Sequence, residues 1–235
     1  MSEYRNIPPE EFDELASEIL YEDNHLLIIN KRPGELVQGD KTGDECLAET
    51  LKAFIAQRDG KPGKVFMGVT HRIDRPTSGT VIFAKTSKAL SRLNDMFRTG
   101  DIHKTYWALV CERPPLDEGD LGNYLTRNEK SNKTFVSDKP CKGSKEARMH
   151  YKLIRETERY FLLEVRLLTG RHHQIRAQLA HIGCHIKGDL KYGARRSNRN
   201  GGICLHSRSV SFIHPVKKTE INVTAPVDWS PIIKE

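Results

Sequence analysis

The sequence predicts an α+β fold built on a mixed, largely antiparallel central sheet with flanking helices. Three observations carry that reading. Short apolar runs bounded by turn residues recur along the 235 residues, segments with helical spacing are few, and nothing repeats. Strict alternation of strands with helices would instead indicate a doubly wound parallel sheet.

In chain order, residues 10–18 read as a short acidic helix. Leu26-Leu27-Ile28-Ile29-Asn30 is an apolar run short enough to be a buried strand, ended by Pro33-Gly34. Asp44 is placed as the cap of a helix whose apolar positions, Leu47, Leu51, Phe54 and Ile55, recur at helical spacing. Strands follow at 65–70 and 79–85. Ser87 reads as the N-cap of a helix through Arg98, with Leu90, Leu93 and Phe97 on one face and Gly100 as terminator. Residues 103–110 alternate and are rich in Tyr, Trp and Val, as a strand would be. Residues 113–143 turn polar and read as an insertion, a hairpin or a crossing between lobes. Strands at 146–154 and 160–168 come next. Gln174 to Ile182 is a short helix with Ile175, Leu179 and Ile182 inward, stopped by Gly183. Strands near 203–213 and 219–224 finish the chain.

Composition limits the function classes. At 37% hydrophobic the chain can bury a core as one large domain or two small lobes. No stretch approaches the roughly 20 apolar residues of a membrane span. The N-terminus is acidic and polar, which predicts neither a secretory signal nor a transit peptide. Cys46, Cys111, Cys141, Cys184 and Cys204 are an odd, scattered set, which argues for a reducing compartment and against a disulfide framework. A cytoplasmic protein is expected.

Charge is unevenly spread. Residues 1–25 hold eight acids against Arg5 alone, a net −7 in a chain whose total is +7, which leaves +14 for the remainder. A body this basic attracts polyanions, of which phosphate backbones are the commonest. Its densest basic tract, Lys187 to Gly202, contains Lys187, Lys191, Arg195, Arg196 and Arg199 against the single acid Asp189. With Tyr192 and a closing Gly201-Gly202, it reads as a mobile basic loop; a solvated surface loop is the plain alternative.

The segment richest in chemistry is His71-Arg72-Ile73-Asp74-Arg75-Pro76-Thr77-Ser78-Gly79. It sets one carboxylate, Asp74, between two arginines ahead of the apolar run Val81-Ile82-Phe83-Ala84. Adjacent positive charge favours the ionised form, which a carboxylate nucleophile requires. Taken alone, such an aspartate is more often half of a surface ion pair.

Four segments in order change that balance. His71 to Gly79 resembles the catalytic motif of the RluA-type pseudouridine synthases. Lys104-Thr105-Tyr106-Trp107-Ala108 is similar to their K-x-Y-x-A strand, and Leu168-Thr169-Gly170-Arg171-His172-His173-Gln174-Ile175-Arg176 to their T-G-R-x-H-Q-I-R motif. The likeness continues through Leu179-Ala180-His181-Ile182-Gly183 and Gly188-Asp189-Leu190-Lys191-Tyr192-Gly193. It closes at Leu205-His206 and His214-Pro215 and spans about Ile19 to Pro226.

The resemblance implies the family's fold with a cleft across the sheet, an acidic extension over 1–18 and a catalytic domain over 19–235. It implies isomerisation of uridine to pseudouridine in structured RNA, ribosomal or transfer. No cofactor is expected, since no phosphate-binding glycine loop is evident and isomerisation consumes no energy source, and a monomer without a metal is expected. Asp74 would be the nucleophile, attacking the sugar, attacking the base, or acting through an elimination route. Tyr106 would stack on the target base and assist proton removal from the ring carbon. Arg176 would pair with Asp74 and keep it ionised. Arg72 would fill the gap left by the extruded uridine, and Leu205 would line the pocket. Arg171 would contact phosphate or anchor its loop. These types suit the chemistry: extruding a base costs a few kcal/mol, and a planar cation can stack where the base stood.

Other assignments are weaker. Without the motif, Tyr106 reads as a core or cross-strand aromatic and Arg176 as a surface charge. His172, His173, His181, Cys184, His185, Cys204 and His206 cluster in sequence, but at no standard zinc spacing. A catalytically silent RNA-binding protein on the same fold is the alternative function. An aspartate hydrolase lacks its water-activating partner. Lys31-Arg32-Pro33-Gly34 carries an extra Arg relative to the family's K-P-x-G, and Ile73 replaces the usual Leu. Only about 20 residues, predominantly acidic in charge, precede the catalytic domain, so an accessory RNA-binding domain there is not expected.

Overall fold

The computed structural model describes residues 4–230 and 232–233. In chain order it contains α1 (Pro9–Glu18), β1 (Ile19–Glu22), β2 (Leu26–Lys31), α2 (Leu47–Arg58), β3 (Gly68–Val69), β4 (Ser78–Ala84), α3 (Ser87–Thr99) and β5 (His103–Val110). There follow β6 (Glu118–Asn128), β7 (Lys133–Ser137), β8 (Lys145–Glu156), β9 (Phe161–Leu167), α4 (Gln174–His181), β10 (Leu205–Ile213) and β11 (Glu220–Thr224). Two units divide these elements, Met1–Ile102 with Ser209–Pro226, and His103–Arg208 with Val227–Glu235. The strand ladders within each unit are antiparallel, as the α+β reading expects.

In the first unit β2 lies between β1 and β4, and β3 pairs with β4. Every residue of β4 is buried, which is why its sequence is a continuous run instead of an alternation. Ile28, Ile82, Leu93, Phe212 and Ile221 share one apolar cluster, so α3 and the β10–β11 hairpin cover that side of the strands. Burial of each such side chain contributes roughly 1.5–3 kcal/mol. The acidic N-terminal helix is packed in as well: Leu15 is buried, the Phe12 and Phe54 rings lie 4.5 Å apart, and Gln57 exchanges two hydrogen bonds with the Ile7 backbone.

Three boundaries differ from the sequence reading, each for a local reason. Helix α2 is capped at Cys46 instead of Asp44, because the carbonyls of Leu36 and Val37 already accept its first N–H groups. Thr86, not Ser87, caps α3, its hydroxyl accepting from the Ala89 N–H at 3.1 Å. The strand expected over 65–70 shrinks to two residues. Beyond Val69, side chains take over from the ladder: Thr70 Oγ1 donates to the Ile82 carbonyl, and His71 Nε2 accepts the Ile82 N–H.

In the second unit the strand order is β5-β9-β8-β6-β7. The polar stretch 113–143 resolves as the β6–β7 hairpin, paired from Tyr124↔Ser137 to Asn128↔Lys133. Helix α4 lies on these strands through the fully buried Gln178, whose amide donates to Asn123 Oδ1 at 2.8 Å. The C-terminal Trp229, Ile232 and Ile233 join a cluster with Leu109, Leu162 and Cys204.

A polar knot pins the first unit's β10–β11 turn. Asp23 accepts from the backbone of His25 and Leu26, from the Tyr21 hydroxyl and from the Lys217 ammonium. His214 is fully buried beside it, with Nε2 3.0 Å from Asp23 Oδ2 but off the hydrogen-bond line. Its Nδ1 accepts the N–H groups of Val216 and Lys217, so that nitrogen carries no proton. Burial pushes the imidazole below its ordinary range, and the Asp23 charge only partly opposes this. An unfolded histidine titrates near 6.5, so the stability held by neutral His214 is complete above about pH 6.5 and is lost as pH falls below it. The unfolding free energy of the wild type is expected to drop on acidification by up to about 1.4 kcal/mol per pH unit through this group. His214→Asn should flatten that slope in denaturant titrations across pH; an unchanged slope would exclude the assignment.

Candidate active site

The Asp74 loop joins β3 to β4 in the first unit, and it is held from below by a buried ammonium. Lys31, at the end of β2 opposite Gly79, is fully buried and donates to the carbonyls of Arg32 at 2.8 Å and Arg75 at 3.1 Å. Burial pushes its pKa down to about 8, against the opposing pull of the Glu35 and Asp74 charges. The Arg75 carbonyl also accepts the Gly34 N–H, and a Thr77 N–H bond to the Asp74 carbonyl closes the turn. Gly79 leaves it at φ 111°, a left-handed value that favours glycine.

Side chains around the loop divide their tasks. Arg75 is committed elsewhere, with Nη1 2.7 Å from Asp44 and Nε on the Gly34 carbonyl. Asp44, expected as a helix cap, is thus drawn to the loop. Asp74 is half-buried, and Arg72 is exposed with no ion pair among the described residues. The His71 ring packs on Phe97 at 4.6 Å. Arg32, the extra residue in Lys31-Arg32-Pro33-Gly34, is bound by Glu35 and by Glu14 of α1, so the acidic helix absorbs that departure.

The other sequence-selected residues lie in the second unit. Tyr106 is buried on β5 opposite Val165, and Leu205 is buried at the start of β10. Lys104, two residues before Tyr106 on the strand, has its pKa lowered by burial. Gln174, the first residue of α4, stitches the preceding loop from Thr169 to itself and to the sheet. Its Oε1 accepts from the Thr169 hydroxyl and the Arg171 N–H, and its Nε2 donates to the Arg148 carbonyl. Arg171 is exposed, with Nε on the Glu146 carbonyl, which makes it a loop anchor.

Arg176 is 4% exposed, and Asp189 binds it fork to fork: Nε donates at 2.6 Å and Nη2 at 2.8 Å. The Tyr192 ring faces the guanidinium at 5.0 Å. The Tyr192 hydroxyl accepts the Thr134 N–H and contacts His173 Nδ1 at 2.9 Å. Burial first, then the Arg176 charge, pushes His173 down to about 2, so it stays neutral. In the sequence Asp189 and Tyr192 stand within a motif that by itself assigns them no role. The available signal was that Asp189 is the lone acid in a basic tract, as a buried counter-ion would be. Nor is the tract a loose loop, since Asp189, Tyr192 and Ala194 are buried in it.

Fold and site thus present a carboxylate on a fastened loop, a buried strand tyrosine and a buried, counter-ion-held arginine. Residues 25–181 match the family model described as RNA pseudouridylate synthase. The chain is 33% identical over 219 residues to ribosomal large subunit pseudouridine synthase C of Buchnera aphidicola subsp. Baizongia pistaciae, covering 90% of this chain and 67% of that one. It is 32% identical over 244 residues to tRNA pseudouridine synthase C of Vibrio cholerae, covering 93% and 95%. The structure titled human RNA Pseudouridylate Synthase Domain Containing 4 superposes with a TM-score of 0.77 at 22% identity, over 93% of this chain and 91% of that one, a likeness of fold. The chain belongs to the RNA pseudouridylate synthase family, in its RluA-type branch. It is an RNA pseudouridine synthase, an isomerase that turns uridine into pseudouridine.

A buried ion pair broken on one side leaves a stranded charge, at about 3–5 kcal/mol, while replacing both partners with apolar groups is often near neutral. Asp189→Leu should therefore lower the unfolding free energy by about 3–5 kcal/mol, and Arg176→Met combined with Asp189→Leu should be less destabilised than either single change. Chemical denaturation of the four proteins measures the coupling; additive losses would refute it.

Proposed function

We propose that this enzyme modifies uridines in structured RNA, ribosomal or transfer, with Asp74 as nucleophile and residues 19–235 as the catalytic domain. The names of its relatives, which act on large-subunit ribosomal RNA and on transfer RNA, support that substrate class. One observation carries the nucleophile: Lys31 and Gly34 fasten the loop backbone beside Asp74, while its neighbour Arg75 is spent on Asp44. The bond from the sugar's anomeric carbon to ring nitrogen breaks, a bond to ring carbon forms, and a proton passes from that carbon to solvent while the freed nitrogen gains one. Atoms balance without a cofactor or energy source.

In this reading Arg176 keeps Asp74 ionised and oriented, as an opposite charge favours the carboxylate. Tyr106 stacks on the flipped base, an aromatic contact worth about 1–3 kcal/mol in single-strand binders, and assists removal of the ring-carbon proton. Leu205 lines the pocket. Arg72, solvent-facing and uncommitted, takes the vacated place in the stack, and Arg171 anchors its loop near phosphate. Five free cysteines support a cytoplasmic location, and we take the enzyme to act as a monomer.

Asp74→Asn should abolish pseudouridine formation in vitro and leave RNA affinity largely intact; product from this variant would exclude the nucleophile. Mapping pseudouridine in total RNA from cells with and without the gene identifies the target and separates ribosomal from transfer RNA. Arg72→Ala should slow single-turnover conversion by about tenfold or more, equivalent to about 1.4 kcal/mol of the extrusion cost. An unchanged single-turnover rate would remove Arg72 from that role.

A further inference from the structure

We propose that the loop from Lys187 to Cys204 is a phosphate-gripping ledge that binds the RNA backbone outside the target nucleotide. The inference deepens the RNA-modifying reading and rests on it for the identity of the polyanion. The two ends of the loop meet: the Cys204 N–H donates to the Lys187 carbonyl at 2.9 Å, and the Leu109 N–H donates to the Cys204 carbonyl at 2.9 Å. A compact surface loop with touching ends, packed by its own side chains, is an Ω-loop, a form often used for function.

Its floor and its rim differ in kind. Asp189, Tyr192, Ala194 and Gly202 are buried, and the Asn198 amide ties the far side to the Gly202 carbonyl and Cys204 Sγ. Gly188 sits at φ +90°, where an added Cβ would lie 2.9 Å from the Gly202 carbonyl oxygen, so only glycine fits. The rim presents Lys191, Arg195, Arg196 and Arg199, all exposed. Among the described residues the three arginines make no ion pair. The tract's own acid, Asp189, is consumed by Arg176. Several acids near the N-terminus are paired with cations of the first unit, Glu11 with Arg5, Glu14 with Arg32, Glu22 with Arg58 and Lys85, and Asp23 with Lys217.

Three uncompensated guanidinium groups on a fastened loop lose less freedom on binding than the same groups on a tail. Their forked donors match phosphate oxygens. Buried attachment through Asp189 also places the ledge at a fixed offset from Arg176, which suits contact with nucleotides flanking the reacting one.

The test is binding of a fluorescently labelled RNA stem-loop that contains no target uridine, across a salt series. Arg195→Ala/Arg196→Ala/Arg199→Ala should weaken binding by about tenfold near 0.1 M salt and reduce the slope of log K against log salt by about two to three. The corresponding triple Arg→Lys variant should recover most of the slope, because charge carries the contact. A control variant, Lys61→Ala/Lys88→Ala/Arg98→Ala, should change neither. With target RNA at saturation, the triple alanine variant should convert uridine at the wild-type single-turnover rate. A wild-type slope in the triple alanine variant would overturn the proposal, as would an equal loss in the control. A lowered saturating rate with unchanged affinity would also overturn it. Because the probe lacks a target, the binding result stands apart from the Asp74 chemistry, whose own failure would appear as absent product with the salt slope intact.

Discussion

A guanidinium taken out of water must be answered by a carboxylate held in matching geometry, and the second unit is arranged around that requirement. Arg176 and Asp189 meet through two short bonds at nearly complete burial. Tyr192 closes one face of the pair, and its hydroxyl joins the α4 N-terminus to β7 through His173 and Thr134. Burial beside a positive arginine keeps His173 neutral in that contact. The buried arginine therefore adds to the burial that keeps its neighbour His173 neutral, and through Asp189 it helps set the course of the loop beyond it.

The first unit answers a similar requirement with a single ammonium. Lys31 is buried against backbone carbonyls, one of them in the residue after Asp74, and among the described residues no carboxylate forms a salt bridge with it. Carbonyl acceptors satisfy the charge only in part, which is why burial lowers its pKa to about 8. What this arrangement secures is backbone position: two strands, β2 and β4, and one lysine hold the loop ends.

Uneven charge along the chain acquires a spatial meaning. The acidic opening is packed against α2 and pairs with cations of its own unit, including the Arg32 that departs from the family pattern. Such pairs on a surface contribute little to stability, typically 0–1 kcal/mol each by general experience. Their larger effect is on where positive potential remains, and the Ω-loop rim is such a place.

Much of the fold was legible because its signals are local. The buried run Leu26–Asn30, the helix ended by Gly100 and the alternation at 103–110 each follow from chain stereochemistry and apolar spacing. Misplaced caps and the shortened strand after Val65 were not legible, since carbonyls of Leu36 and Val37 and side chains of Thr70 and His71, brought in by the fold, replaced the expected partners. By itself the sequence determined the α+β class and the family, and it singled out Asp74, Tyr106 and Arg176 as candidates, because ordered motifs at long spacing are read without coordinates. Only the tertiary structure decided which charges answer which: Arg75 goes to Asp44, Arg32 to Glu14 and Arg176 to Asp189. Ion pairing depends on distance and burial in space, and neither is written in the order of residues.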